Sequence, residues 1–268
     1  MIQFLKESTF AVNEVFNKSW ELLKKHYFSV AGLYFLLFIT SGLSNYLATT
    51  ISDFNVVLSG FMAFFFMVLY FGLNLTLFKY ILHLIDGDDQ KKLMQCIPST
   101  RELLYFFGAM LSIMVLSIAL LMILGVVSFP FLYLFENGDN RLELMSSFTF
   151  FVVFVAAILT FLLIIRVAFY PFFIIDKHAG ALKSLRFSFA LTKGNVFRLL
   201  LILAVFAFFQ ILQAYFNFLE YYIIFIILNL VSSFLVVPLA CIVISVAYRE
   251  MMSDYHGGED PKILSNIF

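Results

Sequence analysis

The stretch MSSFTFFVVFVAAILTFLLIIRVAFYPFFII, residues 145–175, decides the fold. Its only charge is Arg166, and it lacks the ten-residue polar–apolar alternation of an outer-membrane strand. A helix crosses ~30 Å of hydrocarbon in about 20 predominantly apolar residues, so this run can span a bilayer with tilt to spare. Five further runs of the same kind place spans near 27–48, 55–84, 103–134, 196–218 and 222–248. The fold class is therefore all-α: a polytopic membrane protein with six transmembrane helices in three hairpins, a single domain over 1–268. Pro130, Pro171 and Pro238 lie inside or near the ends of three spans and are expected to kink them.

The whole composition agrees with that reading. The chain is 63% hydrophobic and 13% charged, and its mean hydropathy is +0.99. Soluble domains run at roughly 45–50% apolar and about 25% charged residues, so lipid must be the solvent for much of this surface. The 37 phenylalanines are read as lipid-facing and interhelical packing rather than as an aromatic-lined pocket. A net charge of zero argues neither for a nucleic-acid partner nor for an acidic one, and no nucleic acid is expected. Cys96 and Cys241 are the only cysteines, one in a polar gap and one in the last run, so no structural disulfide is expected. The four histidines are scattered without metal-ligand spacing, and no cofactor is expected. No small-residue cleavage site follows the first run, which should act as an uncleaved anchor.

Basic residues fall in alternate gaps. Lys6, Lys18, Lys24 and Lys25 precede span one; Lys91, Lys92 and Arg101 follow span two. Lys177, Lys183, Arg186 and Lys193 follow span four, and Arg249 and Lys262 follow span six. The opposite gaps hold only Arg141, beside Asp53, Glu136, Asp139, Glu143 and Glu220. By the positive-inside rule both termini are cytoplasmic.

Two basic gaps carry amphipathic helices expected to lie on the membrane surface. In the first, over 9–25, Val12, Val15, Phe16, Trp20, Leu22 and Leu23 share one face, opposite Lys18, Lys24 and Lys25, with Ser8 or Thr9 as cap. In the second, over 179–193, Ala181, Leu182, Leu185 and Phe189 share a face away from Lys183, Arg186 and Lys193. Asp176 is placed to cap its start, and Lys193-Gly194-Asn195 reads as its stop. A shorter candidate surrounds 91–97, ended by Pro98. Lysines beside anionic headgroups make membrane lipids the first partner, and a membrane-protein partner the second.

Each hairpin preceded by a surface helix makes a threefold unit. Ser19-Trp20-Glu21-Leu22-Leu23-Lys24 aligns with Ser188-Phe189-Ala190-Leu191-Thr192-Lys193, and Phe28 and Phe197 follow four residues after each lysine. The middle unit matches poorly.

The run from Arg166 through Tyr170-Pro171 to Asp176, then Ala181-Leu182-Lys183-Ser184 and Leu191-Thr192-Lys193-Gly194-Asn195, is similar to a known pattern. It resembles a loose group of uncharacterised bacterial six-span proteins akin to the membrane domain of glycerophosphoryl diester phosphodiesterases. That resemblance implies an aromatic-proline exit from span four, an Asp, an Ala-Leu-x-x-Ser helix and a Lys-Gly stop. The specific match covers about thirty residues. Those phosphodiesterases carry a soluble catalytic domain after the membrane region, and the twenty or so residues after span six leave no room for one. The activity is not carried over.

Arg166 is the outstanding candidate for a role, since an arginine at the bilayer centre costs roughly 2.5–3.5 kcal/mol on insertion scales. It either snorkels or pairs structurally, or else lines a polar cavity with Tyr170, Pro171 and Asp176. Asn74, Gln210, Gln213, Asn217, Asn229, Ser232 and Ser233 either line a path or bond helix to helix. Asp86-Gly87-Asp88-Asp89 reads as a solvated turn. No GxSxG, HExxH, P-loop or dinucleotide fingerprint occurs, so no catalytic residue is assigned. The expectation is a non-catalytic integral membrane protein, structural or auxiliary to a partner, with a small transporter or lipid-handling protein as the alternative.

Overall fold

The computed structural model describes residues 11–52, 55–88, 93–134 and 141–253, without the side chains of 52, 131–134 and 141–144. Readings on Lys6, Ser8, Thr9, Asp53, Asp89, Lys91, Lys92, Glu136, Asp139 and Lys262 lie outside the described residues, as do those on the side chains of Arg141 and Glu143.

The fold is all-α. Among the described residues the helices are α1 (Val12–Ser52), α2 (Val56–Ile85), α3 (Thr100–Leu134), α4 (Arg141–Val167), α5 (Tyr170–Lys177), α6 (Ala181–Thr192), α7 (Val196–Phe218), α8 (Tyr222–Val231) and α9 (Val237–Met252). A 3₁₀ turn, Leu93–Cys96, stands where the short third surface helix was expected. A π turn, Ser232–Val236, joins α8 to α9. These elements supply six candidate spans, which match the six apolar runs.

Proline chemistry explains the two interrupted spans. Pro171 has no N–H for the carbonyl of Val167, so the fourth span breaks at Ala168 and Phe169 and restarts as α5, with the proline in its first turn. Pro238 likewise leaves the Phe234 carbonyl without its helical donor. The π turn forms there, and Tyr27 donates its hydroxyl to that oxygen at 3.1 Å. Pro130 is carried within α3.

Protein–protein burial is concentrated at one end of the molecule. It includes much of Leu75–Leu84 of α2, Glu102, Phe106 and Ala109 of α3, Pro171–Ile175 of α5, and much of Ile242–Met252 of α9. A stripe on α1 adds Val15, Ser19, Leu23, Val30, Leu33 and Leu37. Toward the other end Phe61, Phe64, Phe65, Val126, Phe129, Phe150 and Phe151 are exposed from the protein. An apolar surface of that extent has no place in water.

Span one meets the first surface helix at a kink within α1, where His26 leaves helical geometry (φ −120°, ψ 22°), and the surface helix ends there, between the bounds 25 and 27 read from the sequence. Its apolar face turns onto protein rather than lipid: Val15, Ser19 and Leu23 are fully covered, Phe16 meets Phe206 of α7 at 5.8 Å, and Lys18 pairs with Glu250 of α9. Trp20 alone of that face stays exposed, with Lys24 over its ring at 5.3 Å.

The second surface helix, α6, ends as expected, with Gly194 at φ 90°. Its buried face differs from the expected one. Ser184, Phe187, Ser188, Leu191 and Thr192 point inward, while Leu182 is exposed. Hydroxyls can be buried here because each bonds a helix carbonyl, as Thr192 does to Ser188 at 2.8 Å. The aligned segments share conformation as well as sequence. Ser19 and Ser188 are both fully buried, Phe28 and Phe197 are both exposed, and Asn195 (φ −105°, ψ 0°) stands at the offset of His26.

Candidate functional site

The break in span four creates a need that α6 meets. Between α4 and α5 the Arg166 carbonyl and the Phe169 N–H have no helical partners. Ser188 serves both: its hydroxyl donates to the Arg166 oxygen at 2.8 Å and accepts from the Phe169 N–H at 3.1 Å. Thr192, one turn on, donates to the same carbonyl at 3.3 Å. The Arg166 guanidinium reaches back to α6 and donates from Nη1 to the Phe189 carbonyl at 3.3 Å. That oxygen lies in the last turn of α6, where carbonyls are free and the helix dipole favours a cation. Arg166 is thus structurally paired.

Tyr170 and Pro171, the other members of the expected cavity, sit in a dense aromatic block. Tyr170 stacks on Phe106 of α3 at 5.4 Å, and Pro171 is buried. Phe172 contacts Phe78 of α2 at 4.8 Å and Tyr248 of α9 at 5.0 Å, and Phe173 meets Tyr248 edge-on at 5.4 Å. Phe169, Phe172, Phe173 and Tyr248 are all almost wholly covered. Offset and edge-on ring pairs of this kind add about 0.5–1.5 kcal/mol each beyond area burial. The segment that follows Arg166 is thus packed into protein from Phe169 to Ile175, Tyr170 excepted, while Arg166 itself is half-buried.

Asp176 does not cap α6, whose N-cap is Gly180 without a side-chain bond. His178, in the left-handed region at φ 50°, ends α5, and its N–H and that of Ala179 both return to the Phe173 carbonyl. Asp176 points the other way, into an ionic cluster. It accepts from the Tyr248 hydroxyl at 3.0 Å and pairs with Arg249 at 3.0 Å and with Lys177 at 3.6 Å. Arg249 also pairs with Asp86 at 2.6 Å. One guanidinium therefore ties the end of α2, the end of α5 and the end of α9 together. Asp86, read as part of a solvated turn, is a partner in this cluster; Gly87 beside it takes φ 79° to make the turn.

A second ionic group fixes α3. Ser99-Thr100-Arg101-Glu102 forms a reciprocal capping box: the Ser99 N–H donates to Glu102 Oε2 at 2.7 Å, and the Glu102 N–H donates to Ser99 Oγ at 3.3 Å. Glu102 is almost fully buried. Its other partners are Lys79 at 3.3 Å and His178 Nδ1 at 3.2 Å, from α2 and the α5–α6 link.

The remaining basic residues stay on the surface. Lys183 lies over the Phe187 ring at 5.4 Å, while Arg186 and Lys193 are exposed. Lys18 and Lys25 line a cleft of about 520 Å³ with Glu21, Leu22, Ile85, Val246, Arg249 and Glu250. Three cations and two carboxylates face one another there. Among the described residues no three His, Cys, Asp or Glu side chains gather as a metal site would require.

Sequence reasoning missed Tyr248, Arg249, Asp86, Ser188 and Glu102 as members of these clusters. Only Glu102 carried a local signal, the Ser-x-x-Glu spacing at the start of an apolar run. Comparison with protein-family models, with curated proteins and with solved structures finds no match to the chain.

Proposed function

We propose that the chain is a multi-pass protein of a bacterial cytoplasmic membrane, with both termini cytoplasmic, that acts without catalysis as a structural or auxiliary subunit of a membrane partner. The observation that carries this reading is the packing that follows Arg166: its guanidinium donates to the Phe189 carbonyl, and Phe169, Phe172, Phe173 and Tyr248 are almost fully covered. A transporter needs a wet cavity at such a residue, and a scaffold needs a solid block. The ionic clusters support the orientation, because they join the ends of helices that border the basic gaps. The resemblance to a membrane region that accompanies a catalytic domain in the phosphodiesterases also fits an auxiliary role. The exposed Lys183, Arg186 and Lys193 remain for anionic lipid headgroups or an acidic partner surface.

The competing reading, a small transporter or lipid-handling protein, makes Arg166 part of a solute path. Arg166→Ala removes a hydrogen bond with a charged donor and is expected to cost about 1.5–3 kcal/mol of stability, with no change in solute uptake or efflux by proteoliposomes. A folded Arg166→Ala protein that has lost an uptake or efflux activity of the parent overturns the scaffold reading.

A further inference from the structure

A pocket of about 260 Å³ opens where α3 begins, lined by Ser99, Arg101, Glu102, Tyr105 and His178. Glu102, its one buried member, has no acceptor capacity left. Oε1 accepts from Lys79 at 3.3 Å and from His178 Nδ1 at 3.2 Å, and Oε2 accepts from the Ser99 N–H at 2.7 Å and from Lys79 at 3.4 Å. A carboxylate offers about four such sites, so this one is spent within the protein. A cation entering the pocket finds no free carboxylate to bind.

The other groups can all donate. Arg101 is exposed, and its guanidinium has no partner among the described residues. Tyr105 stands one turn further along the same face of α3, and its hydroxyl is likewise unpartnered among them. The Ser99 hydroxyl accepts from the Glu102 N–H and keeps its own proton to give. His178, from the α5–α6 link, is anchored through Nδ1 and donates from Nε2 as well when its ring is protonated. Two fixed cations, Lys79 and Arg101, stand here against one carboxylate. The larger cleft beside Lys18 differs in kind, because Lys18 is held by Glu250, and Arg249 by Asp86 and Asp176.

We propose that this pocket binds a phosphate group, with Arg101 as the charged anchor and Tyr105, Ser99 and His178 as the surrounding donors. A guanidinium fork matches two phosphate oxygens at once. A tetrahedral phosphate has further oxygens for donors that arrive from α3, from its cap and from the α5–α6 link, whereas a planar carboxylate serves fewer directions. The pocket lies in a basic gap between spans, where a lipid headgroup and a soluble phosphate ester can each supply the group. A phosphate bound here adds a ligand to the scaffold, and a pocket without one leaves the scaffold reading intact.

Calorimetric titration of the full chain in dodecyl maltoside micelles tests the site, with inorganic phosphate as one probe and phosphatidylglycerol in mixed micelles as the other. At least one is expected to bind saturably. A response to inorganic phosphate identifies a soluble phosphate ester, and a response to the lipid alone identifies a headgroup. Arg101→Gln is expected to weaken binding about ten- to hundredfold, the loss of a charge-assisted hydrogen bond, and Tyr105→Phe about two- to tenfold. Arg101 is exposed and unpaired among the described residues, so its variant should keep the parent's fold. Arg186→Gln, an equal loss of charge on the exposed side of α6, should leave the affinity unchanged. Saturable binding of neither probe overturns the site. So does an affinity untouched by Arg101→Gln, or one weakened as much by Arg186→Gln, the mark of diffuse charge attraction.

Discussion

Replacing Tyr248 by alanine is expected to lower stability by about 3–5 kcal/mol, the range for truncating a large buried aromatic ring. Tyr248 is fully covered and stands where α5 meets α9, with its ring against Phe169, Phe172 and Phe173 and its hydroxyl on Asp176. Loss of the ring leaves a void that three neighbouring phenylalanines, packed on the rest of the block, cannot easily close. Tyr248→Phe separates the two contributions. It keeps the ring and removes a hydrogen bond to a carboxylate, so about 1.5–3 kcal/mol should be lost. Unfolding by sodium dodecyl sulfate in mixed micelles reads both variants. Equal costs for alanine and phenylalanine would show that the hydroxyl, and not the ring, holds α9 to α5.

Arg249→Met is the second large effect, expected at about 2–4 kcal/mol. Its cost arises from what stays behind. Asp176, with a side chain only 14% exposed, would keep Lys177 and the Tyr248 hydroxyl but lose its closest cation. Asp86 is 45% exposed and is rehydrated readily, so its share is small. Removing one partner of a well-buried pair costs about 3–5 kcal/mol, and the partial exposure here brings the figure down. Asp176→Asn in the same chain removes the stranded charge. The double variant should therefore recover more than half of the loss, and the coupling energy measures the bridge between α5 and α9. A double variant as weak as the sum of the singles would mean that the two residues act independently.

The helices and their limits were legible because lipid as a solvent leaves long uninterrupted runs. Span five, read at 196–218, is the helix Val196–Phe218. Gly194 as the stop of α6 was legible for a local reason, since only glycine enters the left-handed region at no steric cost. The faces of the surface helices were less so. Apolar periodicity marks Leu182 and Leu185 as the inward side of α6, whereas Ser188 and Thr192 turn inward, where a broken helix offers them an acceptor, and Ser184 turns inward bonded to the Ala181 carbonyl of its own helix. That demand arises at Arg166, 22 residues from Ser188, and no local pattern announces it. Pro171 marked the interruption but not the side chain that would heal it.

The ionic clusters were hidden for the same reason. Asp86 and Arg249 are 163 positions apart, and Tyr248 and Asp176 are 72 apart. Each looked like an ordinary surface residue at a helix end: Asp86 in a polar turn, Arg249 as one more charge in a basic gap. Their pairing depends on which helix ends meet, a property of packing rather than of spacing. Asp176 was singled out in the sequence, but its expected role as a helix cap gave way to a stronger partner, since Arg249 offers a charge-assisted bond where α6 offers only backbone N–H groups.

The central claim is that the packed, ion-paired end of the molecule faces the cytoplasm and the opposite hairpin tips face outward. A chain with Cys96 and Cys241 replaced, carrying one cysteine at Asp139 or at Lys183, tests it with a membrane-impermeant maleimide on intact spheroplasts. The account expects labelling at position 139 from outside, and labelling at position 183 only after the membrane is opened. Labelling of both positions from the same side would contradict it.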